Sequence, residues 1–155
     1  MKKIIFSLAL CAVALTASAQ KGNKYFGGGL VFGSETQSTG INLKGQQYFA
    51  PKWRGEIGFT NFFASRGVSM WEIYANVHYV HPIAPRLNIY PAAGLGFSSW
   101  SFADSDHRSS DLGINLGAGI EYEFSSRWVG QMEFRFIGGG HSQAAFHLGV
   151  AYRFD

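Results

Sequence analysis

From Arg127 to Asp155 the chain reads RWVGQMEFRFIGGGHSQAAFHLGVAYRFD. Every second residue back from the end is apolar: Phe154, Tyr152, Val150, Leu148, Phe146 and Ala144. Between them stand Arg153, Ala151, Gly149, His147 and Ala145. The same two-sided pattern sets Trp128, Gly130, Met132, Phe134 and Phe136 against Val129, Gln131, Glu133, Arg135 and Ile137. A period of two with one apolar face and one polar or small face is that of a β-strand. Gly138-Gly139-Gly140-His141 supplies the reversal between two such strands.

Working outward, the alternation recurs along the chain. Strands are expected over 25–34, 41–50, 53–63, 68–80, 87–100 and 111–124, before the two of the closing hairpin. The clearest sets Leu112, Ile114, Leu116, Ala118, Ile120, Tyr122 and Phe124 against Gly113, Asn115, Gly117, Gly119, Glu121 and Glu123. Pro91 inside the fifth run removes a ladder donor and calls for an edge-like register or a bulge. Eight antiparallel strands fit an all-β, up-and-down barrel, and a single-chain bacterial membrane barrel has an even number. Connections alternate between tight turns (51–52, 81–86, 125–126) and a set that includes the polar segments 35–40 and 101–110. Long outer loops opposite short inner turns would place both termini at the periplasmic end.

The chain starts Met1-Lys2-Lys3, continues with an apolar run to Ala17 and reaches Ala17-Ser18-Ala19. That is the pattern of a secretory signal peptide over 1–19, leaving 20–155 as one barrel domain. Cys11 lies within the apolar run after Leu10, a poor setting for lipid attachment. Without the leader the chain has no cysteine, and loss of Lys2 and Lys3 lowers the net charge from +3 to +1. So near-neutral a chain is not a nucleic-acid binder. No later apolar run is long enough for a spanning helix.

Alternation alone leaves two orientations. A soluble eight-stranded carrier keeps its apolar set inside, around a hydrophobic ligand; a membrane barrel turns that set outward. Three features favour the second. The polar face carries glycine, asparagine and charges but almost no lysine, unlike a water-facing strand surface. Trp53, Trp71 and Trp128 fall near strand ends, as in the aromatic girdles at membrane interfaces, while Trp100 has the opposite parity. The strands also exceed the ~9–11 residues needed to cross hydrocarbon. The inward set then includes Lys44, Arg54, Glu56, Glu72, Glu121, Glu123, Glu133, Arg135 and Arg153, which must pair when buried. An Arg–Glu ladder across the last three strands is expected, with inward glycines leaving room for it. It would plug the lumen or, alternatively, line a narrow path for water or ions.

Lipid chemistry at the outer rim would need a nucleophile and a base within reach. His141 and Ser142 have the right height but opposite directions, and His107 lies in the polar segment with Asp104, Asp106 and Asp111. No histidine spacing fits a metal site. The expectation is a barrel that is not an enzyme and holds no cofactor or metal.

The strands Gly117-Ala118-Gly119-Ile120-Glu121-Tyr122-Glu123-Phe124 and Gly149-Val150-Ala151-Tyr152-Arg153-Phe154 resemble those of small outer-membrane β-barrels of the OmpX-like and OmpA-barrel-like kind, often labelled porin family. The start Lys2-Lys3-Ile4-Ile5 and the Ala19-Gln20-Lys21-Gly22 boundary resemble those of secreted Bacteroidetes proteins. The resemblance implies an outer-membrane location, with structural, interaction or minor small-solute permeation roles. It implies contact with membrane lipids including lipopolysaccharide, and leaves an extracellular ligand open. It also makes Tyr152 and Phe154 a C-terminal signal for the barrel-assembly machinery, although Asp155 follows where the aromatic normally ends the chain. Lipid A deacylases share the form and are the enzymatic alternative; His141-Ser142-Gln143 departs from their His-x-Ser-Asn type motif.

Overall fold

The computed structural model describes residues Gly22–Phe154. The leader expected over 1–19 lies outside the described residues, as does Asp155. Among the described residues nine strands form: β1 Lys24–Gly33, β2 Ser38–Ala50, β3 Trp53–Ser65, β4 Val68–Tyr79, β5 His81–Ala84, β6 Leu87–Phe102, β7 His107–Glu123, β8 Trp128–Ile137 and β9 Gln143–Phe154. Consecutive strands pair antiparallel except β4 and β5, which both pair β6, and β1 pairs β9, so the sheet closes on itself. Eight strands make the wall. The ninth, β5, continues the line of β4 along the start of β6. Closure removes every edge along the wall, which an open sheet in lipid could not tolerate.

The apolar set faces out. Leu112 is 73% exposed and Leu30 59%, whereas Glu72, His78 and Thr60 are fully enclosed. This inverts a soluble barrel and matches a wall that meets lipid.

Several sequence expectations are corrected. The polar segment 101–110 is no long loop: β6 and β7 zip together as far as Phe102↔His107, leaving only 103–106 as a turn. Segment 35–40 likewise shortens to 34–37 because β2 begins at Ser38. Serines, charges and a histidine read as loop, yet they sit in strand because each neighbour supplies the ladder. All connections are therefore short, and loop length does not distinguish the two ends. Lys24 pairs Phe154, so both described termini lie at one end, together with turns 51–52, 85–86 and 124–127.

Segment 81–86 is not purely a turn, since β5 pairs His81 with Ile89 and Pro82 with Asn88. That solves the Pro91 problem. The β4 ladder stops at His78↔Ala92 and the β5 ladder starts at His81↔Ile89. Pro91 falls in the break between them and interrupts no continuous pairing on that side.

The turns have the chemistry they need. Arg66 and Gly67 both have positive φ (52° and 78°), as the two-residue hairpin joining β3 and β4 requires. Pro51 followed by Lys52 at φ 71° has the form of a type II turn.

Candidate functional site: a sealed, charged lumen

Eight strands leave an interior that side chains fill. Here they fill it in layers. At the end opposite the termini, called the loop end, where 34–37, 66–67, 103–106 and 138–142 lie, the inward residues are apolar: Val31, Phe62, Met70, Trp100, Ile137 and Ala145 form one cluster, each 1–2% exposed. Gln143 closes over it, donating to Met70 Sδ at 3.2 Å and accepting from the Thr36 backbone N–H at 3.1 Å. Thr36, in the β1–β2 turn, is buried. His141 covers Trp100 and Phe102, with ring centroids 5.4 and 5.7 Å apart.

Below this plug lies the first ion pair. Arg135 Nη2 is 3.1 Å from Glu72 Oε2, and its guanidinium lies 3.9 Å from the Tyr74 ring centroid. Asn115 donates to the other Glu72 oxygen at 3.0 Å. Tyr74 accepts from Asn42, which also donates to Thr60. A polar recess among Asn42, Tyr74, Glu133, Arg135 and His147 leaves Arg135 Nε and Nη1 and both His147 nitrogens without a protein hydrogen bond.

The middle layer centres on Lys44, whose Nζ lies 3.4 Å from Glu56 and 3.7 Å from Glu133. Tyr90 donates to Glu133 at 2.9 Å, and Gln46 and Asn76 donate to Glu56 at 2.6 and 3.2 Å. His78 Nε2 faces Glu56 at 3.5 Å. Glu56, His78 and Glu133 bring one ligand atom each within 4.8 Å of one another. Two observations describe the cluster as an ion-paired core. The Lys44 ammonium already bridges the carboxylates, and Arg54 donates to His78 Nδ1 at 3.3 Å, which occupies that ring nitrogen.

At the turn end Arg54 pairs with Glu121 at 2.8 Å, and Asn88 and Gln131 complete that carboxylate. Arg54 also lies over the Tyr90 ring at 4.9 Å and the Tyr48 ring at 5.6 Å. Tyr25, Val129 and Ala151, with Tyr48 against them, close this mouth. The lumen is thus shut by an apolar plug at one end and by tyrosines and an arginine at the other.

The expected ladder across β7, β8 and β9 is not what forms. Directly across from Glu133 stand Gly119 and His147, and from Arg135 stand Gly117 and Ala145. The ion pairs cross the lumen instead: β3 to β7 for Arg54–Glu121, β4 to β8 for Glu72–Arg135, β2 to β8 for Lys44–Glu133. Glu123 and Arg153 are half-buried at the turn end and join no ion pair among the described residues. The tyrosines were the missed members. Tyr74 and Tyr90 each stand opposite a glycine, Gly58 and Gly119, and a β-carbon on either glycine would run into the ring. An inward tyrosine facing an inward glycine was the available signal. These glycines make room for aromatic rings, not for long charged side chains.

On the wall, Trp53 and Trp128 are each 44% exposed at the turn end, edge-on to Tyr79 and Tyr152 at 5.1 Å. Trp71 packs beside Phe59 and Phe97 nearer the loop end, while Trp100 is inside the plug. Tyr152 also accepts from Arg127 at 2.8 Å, and Phe154 is exposed on the wall. At the rim opposite the termini, His141 Nδ1 lies 3.2 Å from Asp111. No seryl hydroxyl is hydrogen-bonded to a histidine among the described residues.

A closed eight-stranded barrel with apolar wall and charged interior defines a class, the transmembrane β-barrels. Residues 5–154 match the family model described as "Outer membrane protein beta-barrel domain", and the chain belongs to that family. Its fold is similar to the N-terminal β-barrel domain of Pseudomonas aeruginosa OprF (TM-score 0.71, 16% identity, covering 86% of this chain and 100% of that one). It is also similar to Ail, the attachment invasion locus protein of Yersinia pestis (TM-score 0.61, 19% identity, 87% and 100% covered). A third likeness is to Neisserial surface protein A (TM-score 0.58, 14% identity, 84% and 94% covered). At these identities the likeness is one of fold. No curated protein matches the chain.

Proposed function

We propose that this protein is a non-catalytic structural barrel of the outer membrane whose lumen is held shut, with both termini in the periplasm. The observation that carries it is the double seal: Met70, Trp100 and Ile137 under Gln143 at one mouth, Arg54 with Tyr25 and Tyr48 at the other. Small-solute permeation would require both seals to part. Short loops offer little surface for adhesion, so the wall and its lipids, lipopolysaccharide in the outer leaflet among them, are the main contacts. The Trp53, Trp71 and Trp128 rings act as girdle anchors at the two interfaces. Tyr152 and Phe154 on β9 serve the barrel-assembly machinery during folding. The first residues are read as of Bacteroidetes type.

Two measurements test this. Protein from the outer-membrane fraction should migrate differently boiled and unboiled, and should give baseline conductance in planar bilayers; sustained open channels would overturn the closed-lumen assignment. A cysteine placed at Asp104 should react with an impermeant thiol reagent in intact cells, whereas one at Lys52 should not. The reverse pattern would overturn the orientation.

A further inference from the structure

The connection from β8 to β9 reads Gly138-Gly139-Gly140-His141-Ser142, longer than a two-residue hairpin. Its first residue extends the β7–β8 ladder, the Gly138 N–H donating to the Ile114 carbonyl at 2.8 Å. The segment then bends over the inward face of β7. A β-carbon on Gly113 would collide with the Gly138 carbonyl oxygen. One on Gly140 would meet the two Asp111 carboxylate oxygens at 2.7 and 2.8 Å. Glycine lets this strap lie close against β7, and the same lack of side chains leaves its backbone free to swing away.

One side chain fastens the strap. His141 lays its ring beside Trp100 and Phe102, with centroids 5.4 and 5.7 Å apart, and its Nδ1 lies 3.2 Å from Asp111 Oδ2. Ser142, the strap's other side chain, is exposed and makes no hydrogen bond among the described residues. Water reaches the pair, the His141 side chain being 44% exposed and that of Asp111 24%. On β7, His107 shares the Asp111 face but turns its Nδ1 to the Ser105 carbonyl at 2.8 Å, while Arg108 has the opposite parity. From β6 come only Trp100 and Phe102, and from β9 Gln143, all uncharged. Glu35, Arg66, Asp104 and Asp106 in the neighbouring turns are exposed and join no ion pair among the described residues. His141–Asp111 is thus the ion pair of this mouth.

We propose that residues 138–142 are a pH-sensitive strap over the loop-end mouth, shut while the His141 imidazolium sits on the Asp111 carboxylate and released when the ring loses its charge. Histidine is the side chain whose charge changes between about pH 5 and 8. A charge-assisted hydrogen bond is about twice as strong as a neutral one. Rising pH therefore weakens the fastening, and the strap is held hardest at mildly acidic pH, where the ring is charged and the carboxylate still ionised. Release lifts the ring off Trp100 and Phe102 and bares the top of the plug to water. Arg54 and the tyrosines keep the other mouth shut, so the strap moves without opening a channel. The strap rests on the closed-barrel reading and regulates one of its two seals.

Without the leader the chain has no cysteine, so a nitroxide spin label on Ser142→Cys reports on the strap alone. Electron paramagnetic resonance of the labelled barrel in lipid nanodiscs is read at about pH 5.5 and about pH 8.5, on either side of the histidine range. The mobile fraction should rise about threefold at the higher pH, the scale of a partly exposed ion pair. His141→Gln and Asp111→Asn should each leave the label mobile at both. His141→Arg keeps the charge and stacks on aromatic rings, so it should hold the label still at both. Every variant is first checked for its heat-shifted band; if Asp111→Asn lacks one, the two His141 variants are read without it. A wild-type label with the same mobility at both pH values would overturn the strap. So would a pH response that survives His141→Gln, which would assign the switch to His107. A heat-shifted barrel with a static strap strikes the strap alone, whereas a barrel with no heat shift strikes the membrane-barrel reading beneath it.

Discussion

Tyr90 and Gly119 are direct register partners on β6 and β7, and the tyrosine ring lies where a β-carbon on Gly119 would have to be. The pair fixes more than itself. With the ring held there, its hydroxyl reaches Glu133 at 2.9 Å, its face stacks on His78 at 4.5 Å, and Arg54 lies over it. Tyr74 repeats the arrangement over Gly58 one layer nearer the loops. Cross-strand aromatic rescue of glycine thus organises a charged interior.

Gly119→Ala should therefore displace Tyr90 and cost about 1–3 kcal/mol, the usual range for overpacking. Gly119→Arg should prevent folding, seen as loss of the heat-shifted band. Gly117, also inward on β7, has the Phe134 carbonyl oxygen and then Arg135 as obstacles and no ring to move. Urea unfolding in lipid vesicles measures the Ala variants; a Gly119→Ala barrel as stable as wild type would mean that Tyr90 is free to move elsewhere.

The Arg54–Glu121 pair carries a second expectation. Arg54→Met strands the Glu121 carboxylate in the closed mouth and should destabilise by about 3–5 kcal/mol, whereas pairing it with Glu121→Leu should recover much of that. A double-mutant cycle measures it. Additive losses would show that each side chain is held by its other neighbours and not by its partner.

Leu116 faces outward on β7, 56% exposed. Leu116→Lys should cost up to about 2–4 kcal/mol in a bilayer, because the ammonium meets hydrocarbon. Leu116→Ala should cost far less. Equal small effects would place this stretch of wall outside the apolar belt.

Trp100 and Met70 face each other across β6 and β4 inside the plug. Met70→Ala with Trp100→Ala removes two of that plug's large side chains. The doubly substituted barrel should pass current in planar bilayers more often than wild type, and more so when Arg54 is also changed. Unchanged baseline conductance in both would mean that the ion-paired layers close the lumen without the plug.

The strands, their number in the wall and their two faces were legible in the sequence, because alternation is a local property read residue by residue. The clean run of β7 and the closing hairpin carried it. Segment 101–110 misled for the converse reason: strand membership there comes from neighbours. Ser109 and Arg108 have no strand character of their own and lie in β7 because Trp100 and Ser101 pair with them. Trp100 was assigned the inward parity, but its place in an apolar plug depended on Phe62, Met70 and Ile137 arriving from three other strands.

What the sequence by itself determined is the wall: the period of two, the outward apolar face, the inward charges and the aromatics at strand ends. What only the tertiary structure decided is which charge meets which. Arg54 and Glu121 are 67 residues apart, and Glu72 and Arg135 are 63. Their meeting depends on how far each strand is staggered when the sheet closes, and on a lumen narrow enough for opposite walls to touch. Stagger is a property of the whole ring of ladders, set only once β4 has found β6 and β1 has found β9.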